Sequence, residues 1–452
     1  MIKKNKQILL TLLISLVMMV FYWQISHLSP NEDFFHFISN FFILASLFLI
    51  LIKIEFNFNR LLWIAIICRI IFLFSIPELS PDFYRFIWDG ELLTNGINPY
   101  AFLPSELMEN NRWVDNQYMV SLYQNMTDLS KGHYSNYPVL NQLLFFIPTY
   151  LFDSIQNNMI ALKIMILLAD VGVIFILKKI LNHLNLSIQK IWLYALNPFI
   201  IIEFVGNLHF EGVMIFLLLT SIYFVLKDKT YISATLLGLS IQIKLIPLML
   251  IPFFFKKLKW KKSIVFLIAS LAVFSLIGMV LWHNTVYLNN MMESITIYFT
   301  TFQFNSSLFS IVNYFKSNQM GWDSTYIVGP MLSKIATVLI ILLAVFRNYK
   351  SEIDIFKGVL FALVIYYLFA TTVHPWYVSM ILIMSIFTDY KFGLIWTLLI
   401  PLTYSFYAIS ESVMFFRILE YGLVGVVLVY ELIKYWDKKV FGLNFKSFFE
   451  SN

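Results

Sequence analysis

Apolar stretches without fixed charges recur along this 452-residue sequence from Ile8 to Lys434, and they constrain its fold more than any motif. Several reach about 18 residues or more, which is long enough for a helix to cross a lipid bilayer. Helix is the expected form because backbone polar groups inside a bilayer must be satisfied within the segment. The stretches do not alternate every second residue, as the strands of a membrane β-barrel would. They therefore predict an all-α polytopic transmembrane bundle.

Composition and charge agree with this class. Hydrophobic residues make up 60% of the chain and charged residues 13%, against about 25% charged residues in a soluble domain. The formal net charge of +6 comes from lysines clustered between the apolar stretches, so nucleic acid is excluded as a partner and membrane lipids are expected instead. Cys68 is the single cysteine, and no intramolecular disulfide is therefore formed.

Basic clusters orient the predicted spans. Cytoplasmic loops of membrane proteins carry an excess of lysine and arginine, which places every such cluster in the cytoplasm. We predict about 12 spans with both termini cytoplasmic, in a single domain covering 1–452 of a cell (inner) membrane protein. The first apolar stretch is long and has no small-residue cleavage site, which predicts an uncleaved span. The basic loops lie at 3–6, 53–60, 178–190, 227–229, 256–262, 347–357, 389–391 and 434–439.

Two apolar segments are not expected to cross the membrane, because crossing would put basic clusters outside. Segment 138–152 is short and contains prolines, which predicts a re-entrant or interfacial segment. Segment 232–255 is predicted to be a hairpin of two short helices broken near Lys244. The outward parts are then 78–137, the turn 207–211, a second loop at 283–330 and the turn at 374–376. The spans are expected near 8–25, 34–53, 61–77, 159–177, 191–204, 210–226, 263–282, 331–347, 355–372, 376–388, 392–409 and 413–433.

The outward segment 81–90 carries the most distinctive group of polar residues. Asp82, Arg85 and Asp89 recur at near-helical spacing, so their side chains can share one face of a helix. Trp88 beside them is typical of an amphipathic helix lying in the headgroup layer. One interpretation is an interfacial helix in which Asp82 and Arg85 simply pair. The other is that a carboxylate at the membrane surface serves as a general base, and both interpretations stay open here.

Further polar residues are expected near the same membrane face. Glu203, Asn207, His209 and Glu211 follow one another across a predicted outward turn. An ionisable residue at membrane depth is a functional hypothesis by default, although an interhelical hydrogen bond would explain each of them singly. His209 and Glu211 are possible metal ligands, but the spacing identifies no third one. We therefore predict no metal site and no cofactor, a divalent metal being the less favoured alternative.

Two later motifs complete the candidate site. Lys244 lies inside an apolar hairpin, and a buried ammonium needs either a protein carboxylate or a ligand phosphate as its partner. His374 and Trp376 belong to a His-Pro-Trp-Tyr turn whose rings suit stacking on a sugar. The alternative for this turn is the belt of aromatic residues found at membrane interfaces.

Taken together, three patterns resemble bacterial GT-C type membrane glycosyltransferases and, more distantly, the first mannosyltransferase of the glycosylphosphatidylinositol pathway. They are Asp-x-Tyr-Arg-x-x-x-Asp-Gly at 82–90, Gly-x-Asn-Pro-Tyr at 96–100 and Tyr-Pro-x-Leu at 137–140. The resemblance covers roughly residues 60 to 260. By it, Asp82 takes the position of an essential loop acid and Asp89 that of a second acid. The residues expected to bind substrate are Arg85, Trp88, Tyr137, Glu203, Asn207, His209, Glu211, Lys244, His374 and Trp376.

The resemblance implies a reaction and its partners. A sugar, with mannose the expected one, would move from a polyprenyl-phosphate-linked donor to an extracytoplasmic lipid or glycan acceptor, with inversion at the anomeric carbon. Asp82 is favoured over Asp89 as the base, since Asp89 precedes Gly90 and could instead end its helix. Relatives have two clustered acids where this chain has Pro81 and Asp82, and a single acid favours a metal-free base. The alternatives are a transporter or flippase of lipid-linked sugars and a polymerase or ligase of surface polysaccharide.

Overall fold

The computed structural model describes residues 2–110, 113–409 and 412–436. The regular secondary structure of this part of the chain is helical, and an isolated β-bridge joins Phe304 and Thr372. Lys438 and Lys439, and with them the predicted cytoplasmic C-terminus, lie outside the described residues. Short 3-10 helices occur at Ile188–Ile191, Ile246–Leu250, Pro375–Tyr377 and Ile400–Tyr404, and a π-helix at Ile202–Gly206. The α-helices are α1 (Ile2–Ile25), α2 (Pro30–Ile54), α3 (Phe58–Ile70), α4 (Asp82–Thr94), α5 (Pro104–Glu109), α6 (Gln117–Gln124), α7 (Asp128–Lys131), α8 (Val139–Leu151), α9 (Ile155–His183), α10 (Trp192–Ala195), α11 (Pro198–Ile201), α12 (Glu211–Leu226), α13 (Thr230–Ile243), α14 (Ile251–Gly278), α15 (Thr285–Thr300), α16 (Leu308–Met320), α17 (Thr325–Phe346), α18 (Ile353–Phe369), α19 (Val378–Ile386), α20 (Phe392–Leu399), α21 (Ser405–Ala408) and α22 (Val413–Trp436).

The all-α polytopic class is confirmed, while the spans differ in kind from those predicted. By length and composition, 6 helical stretches of the described chain can cross a membrane, or up to 7 if a pair bent by 52° counts as one span. Three other predicted spans, 210–226, 376–388 and 392–409, correspond to apolar helices of 10–17 residues. A helix rises about 1.5 Å per residue, so such helices fall short of a hydrocarbon layer about 30 Å thick.

A buried ion pair joins α3 to α9. Arg69 of α3 donates from Nε to Asp170 of α9 at 2.6 Å, and neither side chain has any exposed surface. Tyr194 of α10 donates its hydroxyl to the same carboxylate at 2.5 Å, and the guanidinium also donates to the carbonyl of Ala195 at 2.7 Å. Removing one partner of such a pair typically costs about 3–5 kcal/mol. This network therefore fixes α3, α9 and α10 relative to one another.

The hairpin predicted at 232–255 is present. α13 ends at Ile243, Lys244 has an extended backbone, and the chain turns again at Lys259, where φ is 59°. Gln242 donates to the carbonyl of Phe274 at 2.6 Å, and a Cβ on Gly238 would lie 2.7 Å from the carbonyl oxygen of Ser270. Gly238 thus lies beside Ser270 and Gln242 beside Phe274, so the residue numbers increase in the same direction on both helices. α13 and the second part of α14 are therefore parallel. The segment between them must therefore return in the opposite direction.

Basic loops distant in sequence lie together on one face. The ammonium of Lys262, near the Lys259 turn, is 3.9 Å from Asp228 of the α12–α13 turn. Lys257 pairs with Glu352 at 2.7 Å, which joins this turn to the start of α18. Lys190 donates to the carbonyl of Thr388 at 2.8 Å. His183 lies 3.1 Å from Glu352, which joins the loop of Lys190 to the same group. Five of the predicted cytoplasmic clusters thus lie on one face of the bundle: 178–190, 227–229, 256–262, 347–357 and 389–391.

The two predicted outward loops are largely helical. In the first, α4 packs closely on α8, since a Cβ added to Gly90 would lie 2.5 Å from the carbonyl oxygen of Phe145. α8 has 13 residues, which suits the predicted re-entrant segment better than a span. The second loop, 283–330, is mostly α15 and α16, and the span expected from 331 begins at Thr325. Polar residues are spaced through this region, so apolar stretches alone did not predict its helices.

Candidate active site

A cavity of about 620 Å³ opens where the outward helices meet the broken hairpin. Its wall is formed by the start of α4, the segment 136–141, the turn before α12, the break after α13, and parts of α15, α17 and α18 with the turn that follows α18. Loops and helix ends supply most of its polar groups, whereas α17 supplies mainly apolar ones. The predicted site residues that line the cavity are Asp82, Tyr137, His209, Glu211, Lys244, His374 and Trp376.

Asp82 is the first residue of α4 and is partly exposed to the cavity. Its position follows from Pro81, which precedes the helix, and from Ser80, whose hydroxyl accepts the backbone N–H of Asp82 at 3.3 Å. Burial raises the pKa of the Asp82 carboxyl, the nearby Glu211 acts in the same direction, and Ser80 and Lys244 oppose them. A carboxylate with a raised pKa binds a proton more readily. This is the change that a general base for a hydroxyl group requires.

Lys244 forms an ion pair with Glu211 across the cavity. Its side chain is 32% exposed, whereas that of Glu211 is 4% exposed. The ammonium also lies 4.6 Å from the centre of the Tyr377 ring. Of the two partners that the sequence allowed, the structure shows the carboxylate, and the lysine side chain keeps exposed surface at the cavity.

Aromatic and imidazole rings stack along one side of the cavity. The centre of the Trp376 ring is 3.6 Å from that of His209 and 4.6 Å from that of His374, and the His374 and Trp376 planes differ by 4°. Trp376 is 6% exposed, so little of its ring is free to stack on a sugar. The predicted sugar platform is therefore already occupied by protein rings. Both histidines remain at the cavity wall.

Asp89 does not line the cavity, and its carboxylate is fully engaged by protein groups. Arg85 donates from Nε at 2.7 Å, Ser135 donates at 2.6 Å and Gln142 donates at 2.9 Å. The guanidinium of Arg85 also donates to the carbonyls of Ser130 and His133, at 2.5 and 3.0 Å. This buried network ties α4 to the segment before α8. Arg85 accordingly pairs with Asp89, four residues along α4, and not with Asp82.

Three other predicted residues also lie behind the cavity wall. Trp88 is completely buried. Glu203 accepts a hydrogen bond from Tyr404 at 2.7 Å and one from Asn207 at 3.3 Å. Asn207 is 2.9 Å from Nε2 of His209, so Glu203 and Asn207 contact a residue of the wall without reaching the cavity themselves. Within the described ranges, no group of three or more His, Cys, Asp or Glu side chains could hold a metal ion.

The structure adds cavity residues that the sequence reading missed. Tyr298 of α15 and Tyr366 and Tyr367 near the end of α18 line the cavity. Tyr298 lies in the stretch interpreted as a loop, and an isolated tyrosine carries no signal there. Asn136 and Asn141 flank the Tyr-Pro motif on either side, and that proximity was the available hint.

Comparison with known proteins decides the family. A family model described as "Alpha-(1->6)-mannopyranosyltransferase, N-terminal domain" matches residues 8–258, which is more than half of the chain. This protein belongs to that family. The matched region of the mannopyranosyltransferase family contains Asp82, Glu211 and Lys244, and it ends before His374 and Trp376. The predicted resemblance to GT-C type mannosyltransferases is thereby confirmed at the level of the family.

Two curated relatives bear the same name. Alpha-(1->6)-mannopyranosyltransferase A of Mycobacterium tuberculosis is 23% identical over 182 residues, covering 40% of this chain and 33% of the relative. Its namesake in Corynebacterium glutamicum is 22% identical over 186 residues, covering 40% of this chain and 35% of the relative. The chain thus spans about a third of the length of the curated relatives it matches.

Proposed function

We propose that this membrane protein transfers a mannosyl residue from a polyprenyl-phosphate carrier to a lipid or glycan acceptor outside the cytoplasm, with inversion at the anomeric carbon. One observation carries the proposal: Asp82 and Lys244 face a single cavity whose remaining wall is largely apolar. Transfer from a lipid-phosphate sugar donor requires a base for the acceptor hydroxyl, a cation for the phosphate and an apolar channel for the lipid chain. The family, and the relatives named mannopyranosyltransferases, support mannose as the sugar.

The proposed chemistry is a direct displacement. A hydroxyl oxygen of the acceptor forms a bond to the anomeric carbon while the bond from that carbon to the phosphate oxygen breaks. Asp82 accepts the hydroxyl proton as the new bond forms, and the carboxyl's raised pKa favours that transfer. The leaving lipid phosphate gains negative charge, which the Lys244 ammonium stabilises by exchanging part of its contact with Glu211 for the phosphate. Attack from the face opposite the leaving group inverts the configuration.

The apolar part of the cavity suits the lipid chain of the donor. Leu245 and Met249 after the hairpin break face Ile340 and Ile341 of α17 across it. A prenyl chain can move from the bilayer into such a wall at little cost, because these side chains are about as apolar as lipid tails. The basic loops gathered on the opposite face support an outward orientation for the cavity, because cytoplasmic loops carry the positive excess.

Substitution of Asp82 tests the proposed base. Asp82→Asn keeps the shape of the side chain but cannot take the proton, so transfer should fall by about 100-fold or more at equal expression. Asp128→Asn is the matched control, since Asp128 lies in the same outward segment with an exposed side chain. The measurement is transfer of radiolabelled mannose from polyprenyl-phosphate mannose in membranes. Near-normal transfer by Asp82→Asn would remove this residue from the mechanism. A metal-free base also predicts that EDTA leaves the wild-type rate unchanged.

The pH profile gives a second readout for the same residue. Because the raised pKa keeps Asp82 protonated further up the pH scale, the acid limb of the wild-type rate should lie above the ordinary range of an aspartate. The residual rate of Asp82→Asn should lack that limb. A limb that persists unchanged would assign it to another group.

Substitution of Lys244 tests the proposed phosphate contact. Lys244→Met should weaken binding of polyprenyl-phosphate mannose and lower the rate, while Lys131→Met, at a lysine outside the cavity that pairs with Asp128, should not. Scintillation proximity with labelled donor measures the binding. Wild-type donor affinity in the purified methionine variant would leave Lys244 as the structural partner of Glu211.

A further inference from the structure

Three buried polar atoms without a hydrogen-bond partner belong to residues of the cavity wall. The side-chain oxygens of Asn136 and Asn141 are buried and have no hydrogen-bond partner, and both residues line the cavity. Asn141 is 3% exposed. Nδ1 of His374, on the same cavity, is likewise without a partner. Buried amide oxygens without partners are rare in folded proteins because leaving them unpaired costs free energy.

The backbone that carries these amides is held firmly. Ser135, next to Asn136, donates to Asp89 at 2.6 Å, and the carbonyl of Tyr137 accepts the hydroxyl of Tyr100 at 2.5 Å. Gln142, next to Asn141, donates to Asp89 at 2.9 Å. The hydrogen bonds to the Asp89 carboxylate therefore fix Ser135 and Gln142, the neighbours of the two asparagines. A group held in this way loses little conformational entropy when a ligand binds it.

The chemistry of the free atoms indicates the class of ligand. Amide oxygens accept hydrogen bonds, so their missing partners are donors. A phosphate diester has acceptors and no donor, and it belongs at Lys244. A sugar ring presents several hydroxyl donors on a rigid frame, and asparagine carboxamides can accept from one hydroxyl while donating to another. Asn136 also adjoins Tyr298, which lies close enough to Asp82 to feel its charge, so this part of the wall is near the proposed base.

We propose that Asn136 and Asn141 form a hydroxyl-binding subsite that holds a pyranose ring and sets which sugar the cavity accepts. The proposal rests on the proposed function in that the ring is taken to be the sugar that is transferred. Neither asparagine touches the departing bond, so each acts on affinity and selectivity and not as a base. Discrimination arises because an amide left unpaired by a wrong or missing hydroxyl remains buried.

The test combines variants with altered sugars. Asn136→Leu and Asn141→Leu should each raise KM for polyprenyl-phosphate mannose about 3- to 10-fold with a smaller effect on kcat. A panel of monodeoxy donors is then compared. With wild type, KM for the analogue that lacks the contacted hydroxyl should rise by a similar factor, and with the matching variant removal of that hydroxyl should raise KM no further. Asn40→Leu is the control: Asn40 lies on α2, is 4% exposed, has an unpartnered amide nitrogen and does not line the cavity.

A binding readout separates this proposal from the proposed function. Saturation-transfer difference NMR with methyl α-mannoside should show contact with wild type and with Asn40→Leu, and reduced contact with both cavity variants. Sugar binding without any transfer by wild type would leave the subsite standing and overturn the transferase. Normal KM, an unchanged deoxy-sugar pattern and normal sugar contact in folded variants would overturn the subsite. If Asn141→Leu fails to fold, Asn136→Leu, whose residue is less buried, decides the matter.

Discussion

Asp82 and Asp89 illustrate how two carboxylates on one helix come to differ. Asp82 begins α4 and reaches the cavity, whereas Asp89, two turns later, is completely buried. Arg85 precedes Asp89 by four residues on the same helix, which places its guanidinium within reach of that carboxylate. A buried carboxylate that receives three hydrogen bonds stabilises the fold, and a partly exposed one remains free to react.

Asp89→Asn should therefore affect stability first. It leaves the guanidinium of Arg85 buried without a counter-charge, which typically costs about 3–5 kcal/mol. Thermal unfolding in detergent should show a much lower midpoint than that of Asp82→Asn, whose side chain forms no ion pair of this kind. An unchanged midpoint combined with lost transfer would instead move the role of base to Asp89.

Glu91 of the same helix is expected to make stability depend on pH. Burial raises the pKa of its carboxyl to about 7, the nearby Asp153 acts in the same direction, and a hydrogen bond from Tyr118 opposes them. An acid with a higher pKa in the folded state releases its proton on unfolding, so stability falls as the pH rises from the ordinary glutamate range through about 7.

Glu91→Gln removes this ionisation. Its midpoint of unfolding relative to wild type should therefore rise between pH 5 and pH 8, because wild type alone loses stability over that interval. The gain stays within a few kcal/mol, since a tenfold change in acidity corresponds to about 1.4 kcal/mol. Exposed Glu109 supplies the control, Glu109→Gln, for which the difference should not vary with pH. A flat difference for Glu91→Gln as well would contradict the assignment.

At the scale of elements, the position of Asp82 depends on how α4 packs against α8. The Phe86 and Phe145 rings stack with centres 4.7 Å apart, and Gly90 allows the two backbones to approach. α8 in turn starts at Val139, directly after Pro138 and close in sequence to the asparagines of the cavity wall. The positions of Asp82 and of the two asparagines of the proposed subsite thus depend on one helix–helix contact.

Gly90→Ala tests this contact. The added methyl would lie 2.5 Å from the carbonyl oxygen of Phe145, and backbone cannot rotate away as a side chain can. Overpacking of this kind should cost about 1–3 kcal/mol and reduce transfer by displacing α4. Gly422→Ala is the control, because nothing lies within 4 Å of the added methyl on α22. Equal unfolding midpoints for the two alanine variants would show that α4 and α8 can separate freely.

At the scale of the whole molecule, charge divides the bundle into two faces. Loops that carry lysines contact one another on one face, while the cavity and the helices of 78–137 lie between the ends of spans on the other. Because cytoplasmic loops carry the positive excess, this division predicts that the cavity opens on the outward side of the membrane.

Thiol labelling in intact cells checks that orientation. Cys68 is completely buried and gives a silent background. Glu109→Cys should react with a membrane-impermeant maleimide, and Lys229→Cys should react only after the cells are permeabilised, since both positions are exposed. Labelling of Lys229→Cys in intact cells would reverse the arrangement.

Local features of the sequence were sufficient for several of these conclusions. The apolar stretches predicted the membrane bundle, and the lysines between them predicted the hairpin broken near Lys244, because both depend on hydropathy and charge along the chain. The Asp-x-Tyr-Arg pattern pointed to the family. Tertiary contacts were needed for the rest. Three features depended on the folded structure: the choice of Arg85 between Asp82 and Asp89, the lack of a free ring face on Trp376, and the position of Asn141 on the same cavity as Lys244. Each is set by side chains far apart in sequence, whose distances no local pattern records.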